Sequence, residues 1–151
     1  MTRIDFYTHV NNTLDVACQL TLKAYRQGLR VLILTPGAQA SEGIDHELWR
    51  TPATGFVPHC MRDHPLAAQT PVLIDHAMRE PLHDEVLLNL RPELPPFFSR
   101  FQRLLEIVDA AEGSTADARG RYRFYRDRGY EIHSHDVSKT SVARATMPAQ
   151  P

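Results

Sequence analysis

The residues best suited to chemistry are arginines and tyrosines near the end of the chain. The segment 117–128 reads DARGRYRFYRDR and holds five arginines against two acids. In a helix, positions i, i+3, i+4 and i+7 share one face. This spacing gathers four side chains into what we call the arginine face: Arg119, Tyr122, Arg123 and Arg126. Because like charges at this spacing repel by about 0.2–0.5 kcal/mol per pair, the face predicts a partner that supplies negative charge.

The side-chain types on the arginine face indicate two kinds of partner. Arginine makes planar, bidentate contacts with carboxylate or phosphate, and tyrosine adds a flat surface for an aromatic ring or a base. Single-stranded nucleic acid and an acidic peptide with an apolar anchor both fit this chemistry. A footprint of four side chains is short, and nothing else in the sequence extends it into a long basic groove, which favours the peptide. A solvated helix whose tyrosine packs on the domain is the structural alternative.

Eight histidines raise the question of a metal site. His133 and His135 are the best candidates, because residues two apart on a strand share a face and two imidazoles there can bind one metal. Spacing fixes no third ligand, so solvated histidines on an edge strand are the preferred interpretation. We predict no metal and no cofactor.

Catalytic motifs are absent from the sequence. There is no GxSxG, and His59–Cys60 and Asp75–His76 are chain neighbours, which rarely form a working pair. A phosphate-binding loop needs glycines, yet the turn 8–12 after the first predicted strand has none. Gly37 and Gly43, after the second strand, lack a following Lys-Ser/Thr. We predict no catalytic residue, with a small nucleotide- or metal-dependent enzyme kept as the alternative.

A second candidate surface contains the only tryptophan of the chain. Trp49, Pro52 and Phe56 lie close together in sequence, in a segment predicted to be the end of a helix followed by a loop. Aromatic side chains and prolines can form a rigid apolar surface of the kind that anchors protein interfaces. We call these three residues the tryptophan surface. The alternative is that Trp49 and Phe56 cap the core.

The elements that must position these residues alternate along the chain. Apolar periodicity and turn residues predict strands at 3–8, 30–35, around 56–58, and at 71–75, 85–90, 103–109 and 130–136, with helices from 14 to Gly28, at 38–49 and at 115–128. Such alternation predicts a single α/β domain with a mostly parallel sheet flanked by helices, a Rossmann-like outline without its phosphate-binding loop. The initial strand–helix–strand unit implies a right-handed crossover.

Bulk properties bound the remaining possibilities. The 151 residues suit one domain, which we place at 1–136, followed by a flexible tail at 137–151. A net charge of −1 does not by itself indicate a nucleic-acid binder. Two cysteines without ligand spacing fit a reducing, cytoplasmic setting. We expect neither a signal peptide nor a membrane span, because no long apolar stretch is present.

Several short motifs recur in an order typical of one protein family. They are Phe6-Tyr7, Gly28-x-Arg30-Val31-Leu32-Ile33, Asp45-x-x-Leu48-Trp49-x-x-Pro52, Phe56-Val57-Pro58-His59, Pro71-Val72-x-Ile74, Leu88-Asn89-Leu90, Glu106-Ile107-Val108-Asp109 and Arg119-x-Arg121-Tyr122-Arg123-x-Tyr125-Arg126-x-x-Gly129-Tyr130. Together, from residue 3 to about 136, they resemble the chi subunit of bacterial DNA polymerase III. The tryptophan and arginine motifs are the most specific parts of this resemblance.

The resemblance implies a non-catalytic accessory subunit of the clamp-loader assembly in DNA replication. It implies docking on the psi subunit, and binding of the acidic, aromatic-ended C-terminal tail of single-stranded-DNA-binding protein, so that DNA is contacted indirectly. By motif position, Arg119, Tyr122, Arg123 and Arg126 correspond to the family's tail-binding residues. Trp49, Pro52 and Phe56 fall in the region associated with psi and with a helicase that competes for it.

Two points stay open after the resemblance. Some relatives carry lysine where this chain has Arg123, which keeps the charge but not the forked geometry. Direct binding of single-stranded DNA by the arginine face is a third hypothesis, which a steep loss of affinity with salt would distinguish from peptide binding.

Overall fold

A seven-stranded sheet forms the centre of the protein. The computed structural model describes residues 1–50 and 56–138, apart from the side chain of Glu112. Every strand pair is parallel, and the strand order is β3-β4-β2-β5-β6-β1-β7. The strands are β1 (Arg3–Val10), β2 (Val31–Leu34), β3 (His59–Met61), β4 (Val72–Asp75), β5 (Val86–Asn89), β6 (Arg103–Asp109) and β7 (Glu131–Asp136).

In the described ranges, three helices cover the two faces of this sheet, as expected for parallel strands. They are α1 (Thr13–Arg26), α2 (Ala38–Arg50) and α3 (Glu112–Asp127), and the 3-10 turns lie at Ala67–Gln69 and Phe98–Arg100. Helices α1 and α2 share one apolar cluster with one face of the sheet, while α3 packs into a second cluster on the other face. The predicted α/β fold with a parallel sheet is confirmed.

Continuous apolar runs in the sequence correctly predicted the central strands of the sheet. Strands β2, β4 and β5 are completely buried, as the predicted runs 30–35, 71–75 and 85–90 require of strands covered on both faces. The first strand–helix–strand unit is also present, although β5 and β6 lie between β1 and β2 in the sheet. The chain therefore crosses two strand positions in its first connection.

Three predicted boundaries need correction. The short strand expected around 56–58 is wrong by three residues, because β3 begins at His59, where it pairs with Val72 of β4. Helix α3 begins at Glu112 rather than at 113–115, and β1 continues to Val10. Short runs do not set their own register, which comes from pairing with a neighbouring strand. The expected tail, 137–151, lies outside the described residues from 139 onward.

Three predicted helix ends, the start of α1 and the ends of α1 and α3, are confirmed by capping geometry. The side chain of Asn12 accepts a hydrogen bond of 3.0 Å from the backbone N–H of Asp15 at the start of α1. Gly28 and Gly129 follow α1 and α3 with φ of 80° and 83°, a conformation that side chains resist. None of the helices in the described ranges is long and apolar enough to cross a membrane.

Replacement of Gly129 by alanine should lower the free energy of unfolding by about 1 kcal/mol, because an L side chain is strained at positive φ. Gly120→Ala, inside α3, is the matched control, where the added methyl group should raise stability by about 0.5–1 kcal/mol. An added Cβ meets no atom within 4 Å at either position, so only backbone conformation separates them. Urea unfolding of both variants checks the opposite signs.

Candidate functional site

A buried charge cluster joins α3 to the sheet. Glu106 of β6 is fully buried. Its carboxylate accepts hydrogen bonds from Arg121 Nε at 3.1 Å, Tyr125 Oη at 2.6 Å and Asn89 Nδ2 at 3.0 Å. Arg121 also donates from Nη1 to the carbonyl of Pro92 at 2.6 Å. One of the five arginines in segment 117–128 is therefore structural rather than available to a partner.

The protonation of this cluster follows from its burial. Burial raises the pKa of Glu106, while the charge of Arg121 and the donors Tyr125 and Asn89 favour its ionised form. Burial and the neighbouring Glu106 raise the pKa of Tyr125, so its hydroxyl keeps the proton that it donates. The cluster fixes the rotation of α3 about its own axis.

The arginine face is the side of α3 turned away from the buried cluster. Ala118, Arg121 and Tyr125 are buried, whereas the four predicted residues Arg119, Tyr122, Arg123 and Arg126 are exposed. Arg126 lies 3.3 Å from Asp127. Among the described residues, Arg119 and Arg123 form no ion pair, so their guanidinium groups are available to a partner.

A cleft adjoins the arginine face at the carboxyl ends of β1, β6 and β7. Its volume is 390 Å³, and its position is where open α/β sheets commonly bind ligands. The Tyr122 ring lies over Phe6, with centroids 5.5 Å apart. The apolar lining is Phe6, Val108, Ala110, Ala118 and Tyr122, and the polar lining is Thr8, His9, Thr115, Arg119 and Ser134.

The cleft separates the four predicted residues into two groups. Tyr122 and Arg119 line it, whereas Arg123 and Arg126 are exposed on α3 outside its lining. Sequence reasoning missed the contribution of β1, in particular His9. Helical spacing could not reveal residues from another element. The buried partner Glu106 did carry a signal, because a carboxylate within the apolar run RLLEIVD requires a cation or donors.

The tryptophan surface lies on the other side of the molecule from this cleft. Trp49 is 60% exposed and Phe56 is 55% exposed, so neither caps the core. Their ring centroids are 4.9 Å apart. Both flank β3, which is one edge of the sheet, while the cleft lies beside β7 at the other edge. Pro52, the third predicted residue, belongs to 51–55 and lies outside the described residues.

A buried histidine supports the tryptophan surface. The side chain of His59 is inaccessible, and its ring lies 5.1 Å from Trp49 and 6.0 Å from Phe56. Its Nδ1 donates to the Val57 carbonyl at 2.7 Å. Its Nε2 lies 3.2 Å from Asp45 without hydrogen-bond geometry. The two exposed rings therefore rest on a third ring whose orientation is fixed.

The histidines and acids considered for metal binding or catalysis lie beside carboxylate or guanidinium groups. His133 lies beside Glu131, and His135 Nε2 lies 2.9 Å from Asp5. Asp75 binds Arg79 at 2.9 Å rather than orienting its chain neighbour. Across 1–50 and 56–138 there is no group of three or more histidine, cysteine or acidic side chains that could hold a metal ion.

The fold and these surfaces define a small parallel α/β domain whose distinctive side chains lie at two opposite edges of the sheet. Comparison with known families is specific: the profile of the family described as "DNA polymerase III chi subunit, HolC" matches residues 1–133. The chain therefore belongs to the DNA polymerase III chi subunit family.

Individual relatives agree with this assignment. The DNA polymerase III subunit chi of Pseudomonas aeruginosa is 36% identical over 144 residues, covering 92% of this chain and 99% of the relative. The subunits of the same name from Haemophilus influenzae and Escherichia coli K12 are each 28% identical, over 82% and 80% of this chain and 86% and 82% of the relatives. The similarity extends over nearly the whole described fold.

The buried cluster predicts a large difference between two arginines of α3. Arg121→Ala should lower the free energy of unfolding by about 3–5 kcal/mol, because it leaves the Glu106 carboxylate buried without its cation. Arg123→Ala, on the exposed side of the same helix, should change it by less than about 0.5 kcal/mol. Chemical denaturation followed by circular dichroism measures both. Equal losses in the two variants would contradict the division of α3 into structural and exposed arginines.

Proposed function

We propose that this chain is a non-catalytic accessory subunit of the DNA polymerase III holoenzyme in DNA replication. It links the clamp loader, through the psi subunit, to the acidic C-terminal tail of single-stranded-DNA-binding protein. The observation that carries the tail-binding half is the pairing of free guanidinium groups with an apolar cleft on one side of α3. Membership of the chi subunit family supports the place of this chain in the polymerase assembly.

The cleft and the arginine face suit an acidic peptide that ends in an aromatic residue. The apolar lining around Phe6 and Tyr122 offers a place for one aromatic side chain. Arg119 enters the same cleft, and Arg123 and Arg126 continue the positive charge along α3. Acidic residues preceding the aromatic end would then meet charge-assisted hydrogen bonds from arginine.

A peptide fits this arrangement better than a nucleic-acid strand. Binding to single strands commonly uses a basic groove that follows the backbone, with aromatic rings for successive bases. Here the three arginines of the arginine face occupy one helix, and the only exposed aromatic ring on the arginine face is Tyr122, which already packs on Phe6. Direct binding to single-stranded DNA is the second candidate function, favoured only by the shared positive charge.

The tryptophan surface is the proposed contact for psi. Exposed tryptophan and phenylalanine rings in mutual contact are unusual on a protein exterior, and tryptophan is enriched at the energetic centres of interfaces. A helicase that uses the same surface would compete with psi. The proposal extends to Pro52 through its place between the two rings in the sequence.

The positions of the two surfaces support a linking role. The tryptophan surface flanks β3 and the cleft flanks β1 and β7, at opposite edges of a seven-stranded sheet. The two surfaces share no residue, so binding at one leaves the residues of the other uncovered. Such an arrangement allows the subunit to join two proteins without any movement of its own.

Charge reversal on the arginine face should abolish peptide binding. We expect a fluorescently labelled acidic peptide with a C-terminal phenylalanine to bind the wild type and to bind Arg123→Glu at least about tenfold more weakly, because repulsion replaces attraction. Arg128→Glu is the matched control, since it makes the same charge change directly after the last residue of the same helix. The Arg128 guanidinium lies 3.6 Å from the centroid of the Phe124 ring, and Arg128 does not line the cleft.

Fluorescence anisotropy at several salt concentrations also tests the second candidate function. Equal peptide affinity of Arg123→Glu and wild type would exclude the arginine face as the binding site. Tight binding of bare single-stranded oligonucleotide, with affinity falling steeply as salt rises, would support direct DNA binding instead. Loss of affinity for the peptide in both charge variants alike would indicate a general field effect.

Removal of the exposed indole should separate the two binding activities. Trp49→Ala should weaken capture of psi by about tenfold or more, because central aromatic anchors dominate interfaces, while leaving affinity for the acidic peptide unchanged. Leu82→Ala removes an exposed apolar side chain elsewhere and serves as the control. Surface plasmon resonance with immobilised psi measures the first effect. Unchanged psi affinity would assign the tryptophan surface to another partner.

A further inference from the structure

Strand β1 contains an irregularity at the cleft. Tyr7 pairs with Ile107 and Val10 with Asp109, so three residue steps in β1 match two in β6. This is a β-bulge, a feature that commonly re-aims a side chain beside a functional site. The bulge contains Thr8 and His9, and both line the cleft.

His9 adopts a backbone conformation that suits glycine better than histidine. Its φ is 58°, and no other non-glycine residue in the described ranges has a positive φ. Neighbouring strands hold it there, because the Thr8 carbonyl accepts from Val137 N–H and the Val10 carbonyl accepts from Ala110 N–H, each at 3.0 Å. Strain that is fixed on both sides in this way is characteristic of functional sites.

The imidazole side chain is the feature that histidine adds at this strained position. A glycine would adopt the same backbone without cost, so the side chain distinguishes this residue. It is 65% exposed. Its Nδ1 lies 3.2 Å from Thr8 Oγ1 and 3.3 Å from Asp136 Oδ1. In the part of the chain that the structure describes, Nε2 has no hydrogen-bond partner, so this nitrogen is available to a ligand.

We propose that His9 contacts the terminal α-carboxylate of the peptide bound in the cleft and makes the site selective for a chain end. This inference rests on the proposed peptide-binding function. The two side chains of the cleft that can donate a hydrogen bond from nitrogen come from different elements, Arg119 from α3 and His9 from the bulge. When the last aromatic side chain occupies the apolar lining, its own carboxylate lies within the cleft. The preceding acids then reach Arg123 and Arg126, outside it.

Asp136 is the nearest competing charge. Its Oδ1 accepts from Ser138 N at 3.0 Å and Ser138 Oγ at 2.6 Å, so part of its acceptor capacity is already used. An imidazole placed between this carboxylate and that of the ligand donates to both when it is protonated.

The experiment compares two peptides on two proteins. An acidic peptide ending in phenylalanine is prepared with a free C-terminal carboxylate and as the C-terminal amide, and each is titrated calorimetrically into the full chain and into His9→Asn. Asparagine tolerates the left-handed backbone and lacks the imidazole ring. His46→Asn, an exposed position on α2, is the control for loss of a surface histidine.

We expect the wild type and His46→Asn to prefer the free acid by about tenfold, which is the effect of one charge-assisted hydrogen bond. His9→Asn should reduce this preference by about threefold or more while its affinity for the amide stays within about twofold of the wild type. His9→Gly should show the same loss of preference without a lower melting temperature, because glycine relieves the strain.

Each of the other outcomes contradicts either the role of His9 or the proposed tail-binding function. Equal acid-to-amide preference in wild type and His9→Asn, with binding still lost in Arg123→Glu, removes His9 from the site and leaves the proposed function in place. Equal weakening of both peptides by His9→Asn and His9→Gly shows a structural role alone and overturns the inference. Failure of the free-acid peptide to bind the wild type overturns both the inference and the tail-binding half of the proposed function.

Discussion

The carboxylate of Glu106 is the constraint on which the proposed binding face of this protein depends. An ionised group buried in the middle of an apolar strand is tolerable only when it is paired and hydrogen-bonded. Arg121, Tyr125 and Asn89 meet that requirement. Because two of these partners are one turn apart on α3, the same contacts set the rotation of the helix against the sheet. The outward direction of Arg119, Arg123 and Arg126 follows from that rotation.

The fixed rotation has a direct functional consequence. It turns Arg119, Arg123 and Arg126 to solvent and places Tyr122 against Phe6 at the boundary between helix and sheet. An apolar cleft and a line of cations thereby become neighbours, although they come from different elements. The proposed linking role also needs two separate surfaces, and the width of the sheet keeps this site apart from the exposed rings beside β3. Rigid placement of two surfaces, rather than motion, is the basis of the proposed role.

Much of the fold was readable from local pattern. The buried strands β2, β4 and β5 are continuous apolar runs, and Asn12, Gly28 and Gly129 mark helix ends through their own conformational preferences. These features depend on residues close in sequence, so local reasoning reaches them. Strand β3 was misplaced because its register depends on β4, thirteen residues further along the chain. The strand order also lay beyond local pattern, since β1 pairs with β6 and β7 rather than with β2.

In the candidate site, too, features set by residues close in sequence were predictable, and features set by distant residues were not. Sequence by itself determined the arginine face, because helical periodicity is a local property and the four residues need only one another's spacing to share a side. It also determined family membership, through ordered motifs. Only the tertiary structure decided that Arg121 is buried while Arg123 is not, that Trp49 and Phe56 are exposed, and that His9 enters the cleft. Each of these depends on contacts between segments far apart in the chain, and burial, pairing and strain arise only when those segments meet.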